Sequence, residues 1–176
     1  MMAENRYITS GHLWKFGDNI STDHILPSRY MTQVDANELA ANCMAGCTPH
    51  FSSRIQLGDV LAAGENLGYG SSREQAPQAL KYAGISVVIA KSFARIFYRN
   101  CFNVGIPAIA CPNFVEEASE GDLIEVNLVA GIIYNETLGR TYEFTKPPEF
   151  MLTYIKLGGL IPYLEEQMNK EEETAK

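Results

Sequence analysis

Residues 85–110 read ISVVIAKSFARIFYRNCFNVGIPAIA, and this stretch decides the fold class. Its first part, Ile85–Ala90, is short, apolar and rich in β-branched side chains, as expected of a parallel strand buried on both faces. Ser92 can cap a helix that continues to about residue 102, and its apolar side chains share one side: Phe93, Ile96, Phe97 and Cys101. Residues 105–107 end this helix, and residues 108–110 form another apolar run. A strand, a helix and a strand in this order predict a parallel sheet with right-handed crossovers.

The residues before this stretch predict more elements of the same kind. Residues 60–63 (VLAA) read as a short buried strand, and a helix is expected over about residues 77–83. Farther towards the N-terminus, residues 6–16 contain a first strand region. A further helix is expected over residues 35–45, with Asp35 as its N-cap.

The pattern changes after Cys111. Residues 122–129 and 140–144 alternate between apolar and polar side chains, with the turn residues Asn135 and Gly139 near the break. This alternation predicts antiparallel pairing. The chain is therefore expected to combine parallel and antiparallel strands.

The end of the chain predicts a closing helix and a charged tail. The helix is expected to open at residues 147–148 (PP), to run to Leu157 and to stop at residues 158–159 (GG). Residues 165–176 become increasingly charged and are expected to fray.

Composition limits the classes of partner. The chain has 176 residues, 46% of them hydrophobic, which suits one well-packed domain. Its net charge of -7 disfavours nucleic acid as a partner, because such binding requires a basic face. The N-terminal residues lack the regions of a signal peptide, and no apolar run approaches the roughly 18 residues of a membrane helix. We therefore expect a cytoplasmic protein that binds neither nucleic acid nor membrane.

The four cysteines, at positions 43, 47, 101 and 111, do not predict a metal site. No two of them form a C-x-x-C pair, and no second cluster has the spacing of metal ligands. They are expected to be reduced and to act as small buried apolar residues.

Residues 68–74, GYGSSRE, predict a site for a small anion. Glycines let the backbone approach a ligand closely, and Arg73 offers a planar guanidinium to a carboxylate or phosphate. The segment follows a strand and precedes a helix, where ligands bind in open α/β sheets. The alternative is that Ser71 and Glu74 form a helix capping box, but Pro77 would then lie too deep in the helix. The segment lacks the Gly-Lys-Ser/Thr of a Walker loop and the third glycine of a dinucleotide fingerprint.

Two other polar clusters are ambiguous when each is taken alone. Residues 18–24, DNISTDH, read as a hydrated turn, although Asp23 and His24 could form an acid–base pair. Arg95 and Arg99 share one face of the predicted helix, where solvent exposure or pairing with a carboxylate is the default.

Taken together and in order, three segments resemble one known family: DNISTDHI (18–25), GSSRE (70–74) and AKSFARIFYRN (90–100). The chain resembles the small subunits of the 3-isopropylmalate dehydratases, which are similar to the swivelling C-terminal domain of aconitase. The resemblance covers about residues 16–164. It implies an α/β fold of the swivelling β/β/α type, with a parallel sheet, a second antiparallel sheet and flanking helices. Residues 1–164 would form this single domain, and residues 165–176 would form the tail.

The resemblance also implies an enzyme that needs a second chain. Members are hydro-lyases that isomerise a 2-hydroxy acid by dehydration and rehydration, here in leucine biosynthesis. A large subunit carries a [4Fe–4S] cluster whose iron acts as a Lewis acid. This chain has no matching cysteine set, so no metal or cofactor is expected in it.

The same resemblance assigns roles to individual residues. Ser71 matches the base that removes the proton next to a carboxylate, and Arg73 matches the arginine that binds a substrate carboxylate. Asp23 and Ser72 match further active-site positions. Substrate contacts are also expected from the segment after the aspartate motif: His24, Arg29, Tyr30, Met31 and Thr32.

The substrate expected from this segment is an alkyl-substituted malate, with isopropylmalate first. Met31 and Thr32 carry no charge, so the loop can accommodate an alkyl group but cannot neutralise another carboxylate. Arg29 keeps homoaconitate open as an alternative. The resemblance has two departures: Gln75 stands where the family usually has histidine, and Tyr69 stands where it has other residues. These departures leave methylmalate/citraconate or 2,3-dimethylmalate open as alternative substrates. A stand-alone anion-binding module is the alternative of another class, and an RNA-binding role is disfavoured by the acidic charge.

Overall fold

The computed structural model describes residues 7–30, 32 and 35–174. The strands in this part of the chain are β1 (Ile8–Lys15), β2 (Val60–Ala63), β3 (Val87–Ala90), β4 (Ala108–Ala110), β5 (Leu123–Asn127), β6 (Ile132–Asn135) and β7 (Arg140–Glu143). The α-helices are α1 (Thr22–Ile25), α2 (Ala36–Ala41), α3 (Gln75–Ala83), α4 (Arg95–Asn103), α5 (Pro112–Glu117), α6 (Glu149–Leu157) and α7 (Leu160–Thr174).

One mixed sheet joins these strands in the order β4-β3-β2-β1-β5-β6-β7. The strands β1 to β4 pair in parallel, which confirms the predicted parallel sheet. The strands β5, β6 and β7 pair antiparallel, and β5 also pairs with β1. The expectation of a second, separate sheet is wrong for the described residues, because β1 connects the two halves.

Strand β1 changes partner along its length. Residues Ile8 to His12 pair with β5, and Leu13 to Lys15 pair with β2. A Cβ atom on Gly11 would overlap the carbonyl oxygen of Gly58, so glycine is needed where the chain that enters β2 passes β1. The sheet can therefore continue from its parallel half into its antiparallel half.

A buried carboxylate fixes this junction. Asp59 is 2% exposed and accepts hydrogen bonds from His12 N at 3.1 Å, Trp14 Nε1 at 2.8 Å and Gln56 N at 2.9 Å. A buried carboxylate is tolerated where its oxygens are satisfied in this way. Asp59 thus joins β1 to the segment that leads into β2.

Burial along the strands follows the sequence patterns. All residues of β2 and β3 are buried, as predicted for central parallel strands. In β5, buried and less buried residues alternate, as predicted for antiparallel pairing. The largest fully buried side chains come both from the strands of the sheet and from other segments of the core, among them Phe51, Phe97, Phe102, Phe114, Leu13, Leu61 and Leu80.

The helix starts both confirm and correct the sequence predictions. Asp35 caps α2 by accepting the N–H groups of Asn37 and Glu38, although α2 ends at residue 41 rather than 45. Helix α3 begins at Gln75, so Ser71 is not its N-cap, as Pro77 indicated. The prediction that Ser92 caps the following helix is wrong, because α4 begins at residue 95 after an N-cap at 94.

The closing helix is present as α6, which Gly158 ends in a left-handed conformation. A further helix, α7, continues through Thr174, so the described part of the charged tail is helical. Fraying of this tail stays a prediction. Among the helices that the structure describes, none is both long and apolar enough to cross a membrane.

Candidate active site

Three loops lie side by side where β1, β2 and β3 end. We define the first loop as residues 16–21, the second loop as residues 64–74 and the third loop as residues 91–94. Backbone hydrogen bonds join them, among them Asn19 N to Glu65 O at 2.8 Å, Gly68 N to Ile20 O at 2.7 Å, Leu67 N to Ser92 O at 3.0 Å, and Ala94 N to Leu67 O at 2.9 Å. The sheet topology thus brings together the three segments that carry the sequence motifs.

Side chains add to the contact between these loops. The hydroxyl oxygen of Ser92 accepts the N–H of Asn66 at 2.9 Å, and the Ser92 hydroxyl donates to the carboxylate of Glu65. Ser92 therefore holds the second loop instead of capping a helix. Asp18 Oδ1 accepts the N–H of Glu65 at 2.8 Å, which holds the second loop from the other side.

A cavity of about 390 Å³ opens between the first and second loops and the start of α1. We call it the site cavity, and its lining residues are Ser21, Thr22, Asp23, Ser28, Tyr69, Gly70, Ser71 and Arg73. Asp23, Ser71 and Arg73, the residues assigned to catalysis from the sequence, all lie on it. Its lining is rich in hydroxyl groups and carries one guanidinium and one carboxylate, so it suits a small polar ligand whose anionic group can meet Arg73.

Ser71 is positioned by hydrogen bonds at its backbone and at its side chain. The Ser71 N–H donates to Oγ1 of Thr22 at 2.9 Å, and Thr22 is 1% exposed. The Ser71 Oγ accepts the N–H of Arg73 at 3.2 Å. A donated N–H stabilises negative charge on the hydroxyl oxygen, which favours the deprotonated form of the serine.

Two glycines shape the turn before Ser71. Gly68 and Gly70 have φ angles of 79° and 110°, in the left-handed region that glycine adopts without strain. A Cβ atom on Gly68 would also overlap the Phe97 ring of α4. The second loop therefore lies closely against α4, as the glycines in the sequence indicated.

Asp23 is an exposed carboxylate at the wall of the site cavity. Its Oδ1 accepts the Ser28 hydroxyl at 2.5 Å and the Ser28 N–H at 2.7 Å. The Ser28 hydroxyl first, and then its N–H, hold the pKa of Asp23 below its usual value. Asp23 therefore presents a negative charge at neutral pH.

His24 helps to cap the N-terminus of α1. Its Nδ1 accepts the Ser21 N–H at 3.0 Å, while the His24 N–H donates to Ser21 Oγ at 3.1 Å. This reciprocal pair is a capping box at the start of α1. His24 is not among the residues that line the site cavity.

The described residues of the segment expected to select the substrate do not line the site cavity. Arg29 is exposed, with its guanidinium carbon 4.7 Å from the centre of the Tyr30 ring. Tyr30 is half-buried against the core, and Thr32 is exposed. Met31 lies outside the described residues.

Helix α4 supports the second loop from outside. Ser72 is exposed, and its carbonyl oxygen accepts a hydrogen bond from the Asn100 side chain at 2.8 Å. Asn100 is 8% exposed. Arg95 and Arg99 are exposed on the same helix, as the sequence predicted. Sequence reasoning assigned no role to Thr22 or Asn100, since nothing local distinguishes them from other polar residues.

Gln75 and Tyr69 lie on either side of the Ser-Ser-Arg turn. Gln75 is the first residue of α3 and is half-buried. Tyr69 lines the site cavity and is 39% exposed.

The described residues do not fit an iron–sulfur cluster. They contain no group of three or more His, Cys, Asp or Glu side chains that could hold a metal ion. Burial raises the pKa of all four cysteine thiols, which disfavours the thiolate that ligates iron. We therefore assign no step to a cluster held by this chain.

Comparisons with known proteins agree on one family. The model of the aconitase C-terminal domain family matches residues 3–113. The chain is 51% identical over 163 residues to the isopropylmalate/citramalate isomerase small subunit of Methanocaldococcus jannaschii, with 93% of this chain and 97% of that relative covered. It is 50% identical over 163 residues to the 3-isopropylmalate dehydratase small subunit of Nautilia profundicola, with 93% and 98% covered.

A solved structure gives the same result. The crystal structure of a 3-isopropylmalate dehydratase from Methanocaldococcus jannaschii superposes with a TM-score of 0.89 at 42% identity. The match covers 95% of this chain and 99% of that chain.

Proposed function

The chain belongs to the aconitase C-terminal domain family, and we propose that it is the small subunit of a 3-isopropylmalate dehydratase. As such it is part of a hydro-lyase that interconverts 2-isopropylmalate and 3-isopropylmalate in leucine biosynthesis. The observation that carries this proposal is the site cavity, where Asp23, Ser71 and Arg73 from two motif segments face one space.

Ser71 is the proposed base. A serine hydroxyl is a poor base in water, so the site must stabilise its alkoxide. The Arg73 N–H that donates to Ser71 Oγ supplies part of this stabilisation, and the Arg73 guanidinium on the same cavity adds positive charge. The bond from the Ser71 N–H to Thr22 holds the serine in place while the proton moves.

Three other residues have proposed roles at the substrate. Arg73 binds a substrate carboxylate through its planar guanidinium. Ser72, next to it, donates its hydroxyl to a second polar group of the substrate. Asp23 provides a fixed negative charge that binds a protonated group of the substrate or of the partner. Hydrogen bonds from Ser28 stabilise this charge.

The partner is a large subunit that carries the [4Fe–4S] cluster. The similar proteins are named small subunits, which supports a second chain, and the described residues of this chain offer no ligand set for the cluster. When bound in the partner, the cluster supplies a Lewis acid for the departing hydroxyl. The four unpaired thiols agree with the reducing cytoplasm as the location we propose.

Citramalate is a second candidate substrate. One of the similar proteins is named an isopropylmalate/citramalate isomerase small subunit. Citramalate carries a methyl group where 2-isopropylmalate carries the isopropyl group, so one site can accept both if its alkyl contact tolerates the smaller group.

The test is anaerobic reconstitution with the large subunit of the same organism. The complex is expected to turn over 2-isopropylmalate and, more slowly, citramalate, and this chain alone is expected to be inactive. Rates are compared with those for homocitrate and homoaconitate, which carry an extra carboxylate. Faster turnover of homoaconitate than of any alkylmalate, or hydratase activity of this chain alone, would contradict the proposal.

A further inference from the structure

Tyr69 differs from every other described residue on the site cavity. The remaining lining consists of hydroxyl groups, the Asp23 carboxylate, the Arg73 guanidinium and the backbone of Gly70. Among these residues, Tyr69 alone offers an extended apolar surface, and the residue as a whole is 39% exposed. A substrate with two carboxylates, a hydroxyl and an alkyl group needs polar partners for three of its groups and an apolar contact for the fourth.

The backbone fixes Tyr69 in this place. Its carbonyl oxygen accepts the Thr22 N–H at 2.9 Å, and the residue forms a parallel bridge with Ser21. It stands between Gly68 and Gly70, whose left-handed conformations turn the chain on either side of it. The ring is thus presented by an ordered main chain that also positions Ser71.

The segment expected to contact the alkyl group does not supply this surface in its described part. The Tyr30 ring packs against the core, and the Arg29 guanidinium lies over it. Neither these residues nor Thr32 line the site cavity. Among the described residues, an alkyl group held in the site cavity beside Ser71 would therefore meet Tyr69.

We propose that the ring of Tyr69 contacts the alkyl substituent of the substrate and sets the preference for isopropyl over methyl. The inference rests on the proposed function, since it assigns a substrate contact in the same site. An isopropyl group has two more carbons than a methyl group. Burying them against the ring strengthens binding of the larger substrate in the transition state.

The test compares variants of the reconstituted complex on 2-isopropylmalate and on citramalate. Tyr69→Ala is expected to lower the ratio of the two kcat/KM values by on the order of tenfold. Tyr69→Phe keeps the ring and is expected to keep the ratio. The matched control is Tyr134→Ala on β6, which removes a tyrosine of the same 39% exposure that does not line the cavity, and it is expected to leave the ratio unchanged.

Each other outcome overturns the inference in a distinct way. An unchanged ratio in Tyr69→Ala shows that the ring makes no alkyl contact. Weaker subunit association with an unchanged ratio identifies Tyr69 as an interface residue instead. An equal fall in Tyr69→Phe assigns the effect to the hydroxyl group. A wild-type complex that turns over neither acid overturns the proposed function as well, whereas an unchanged ratio with normal turnover overturns this inference alone.

Discussion

Ser71 depends on two hydrogen bonds that do different things. The bond from its N–H to Thr22 sets where the residue lies, and the bond from Arg73 N–H to its hydroxyl oxygen favours negative charge on that oxygen. Since the first bond uses only the backbone of Ser71, a change of its side chain removes the second bond and keeps the first. Position and reactivity of this residue can therefore be tested separately.

Replacing Ser71 with alanine should abolish turnover without preventing assembly. If Ser71 is the base, kcat is expected to fall by on the order of 10²- to 10⁴-fold, because proton transfer by a positioned group contributes about that much. The measurement is steady-state kinetics of the reconstituted complex, together with gel filtration to show that both subunits still associate.

Ser53→Ala serves as the control for this variant. Ser53 is exposed, and its hydroxyl donates to the carbonyl oxygen of His50, away from the site cavity. Its removal is expected to leave kcat unchanged. Turnover by Ser71→Ala at a rate near that of the wild type would rule out Ser71 as the base.

At the residue scale, the sequence indicated candidate reactive residues but not the residues that hold them in position. The roles proposed for Ser71, Arg73 and Asp23 come from the resemblance of the motif segments to one family, and the structure places these three residues on one cavity. Thr22 could not be assigned a role, because its contact with Ser71 joins residues 49 positions apart. No local pattern contains such a contact.

At the scale of elements, α4 supports the Ser-Ser-Arg turn through asparagines one turn apart. Asn100 donates to the Ser72 carbonyl oxygen at 2.8 Å, and Asn103 reaches the Glu74 carboxylate at 3.5 Å. The first bond is short and part-buried, whereas the second is long and exposed. Asn100 therefore acts as a positioning residue for the turn.

Replacing Asn100 with aspartate should slow catalysis while the protein stays folded. The aspartate has nearly the same shape, but it cannot donate to the Ser72 carbonyl and would repel it. We expect a fall in kcat of about tenfold to a hundredfold with a smaller change in KM, since small displacements of reacting groups are costly. Kinetics of the reconstituted complex and circular dichroism provide the measurement.

Asn103→Asp is the comparison on the same helix, and its effect on kcat should be much smaller. Equal effects of the two substitutions would show that α4 acts through general stability rather than through the Ser72 carbonyl.

Helix caps show where local prediction succeeds and where it fails. Asp35 could be identified because its partners are the next N–H groups in the chain, Asn37 and Glu38. Ser92 has an equally suitable side chain, yet its hydroxyl group forms hydrogen bonds with Asn66 and Glu65 of a neighbouring loop. Tertiary contacts therefore override a local capping preference at this position.

At the scale of the whole molecule, β1 makes one sheet of two differently paired halves. The sequence predicted both kinds of pairing from strand composition. It could not predict their union, because β1 and β5 pair across more than a hundred residues. The alternating pattern of β5 indicates how it pairs but not with which strand.

Replacing Gly11 with alanine should destabilise both halves together. The added Cβ would overlap the backbone at Gly58 and Asp59, and overpacking of this kind costs about 1–3 kcal/mol in the free energy of unfolding. Urea denaturation can follow the fluorescence of Trp14, the single tryptophan, which lies on β1, and the far-ultraviolet circular dichroism. The two signals should change in one common transition at a lower urea concentration.

Gly17→Ala is the matched control, because a Cβ atom there has no neighbour within 4 Å. It should leave the midpoint of unfolding nearly unchanged. Separate transitions for the two signals would mean that the halves of the sheet unfold independently.

The hydrogen bonds between the three loops also bear on how two chains would meet. The loops that form the site cavity already hold one another through their backbones, so their conformational entropy is lost when this chain folds rather than when a partner binds. A large subunit that docks at these loops would then meet a preformed surface. Its association rate constant is expected to be about 10⁵–10⁷ M⁻¹s⁻¹, the range typical of such encounters. Association at these loops would be limited by collision and orientation, without a folding step in the three loops themselves.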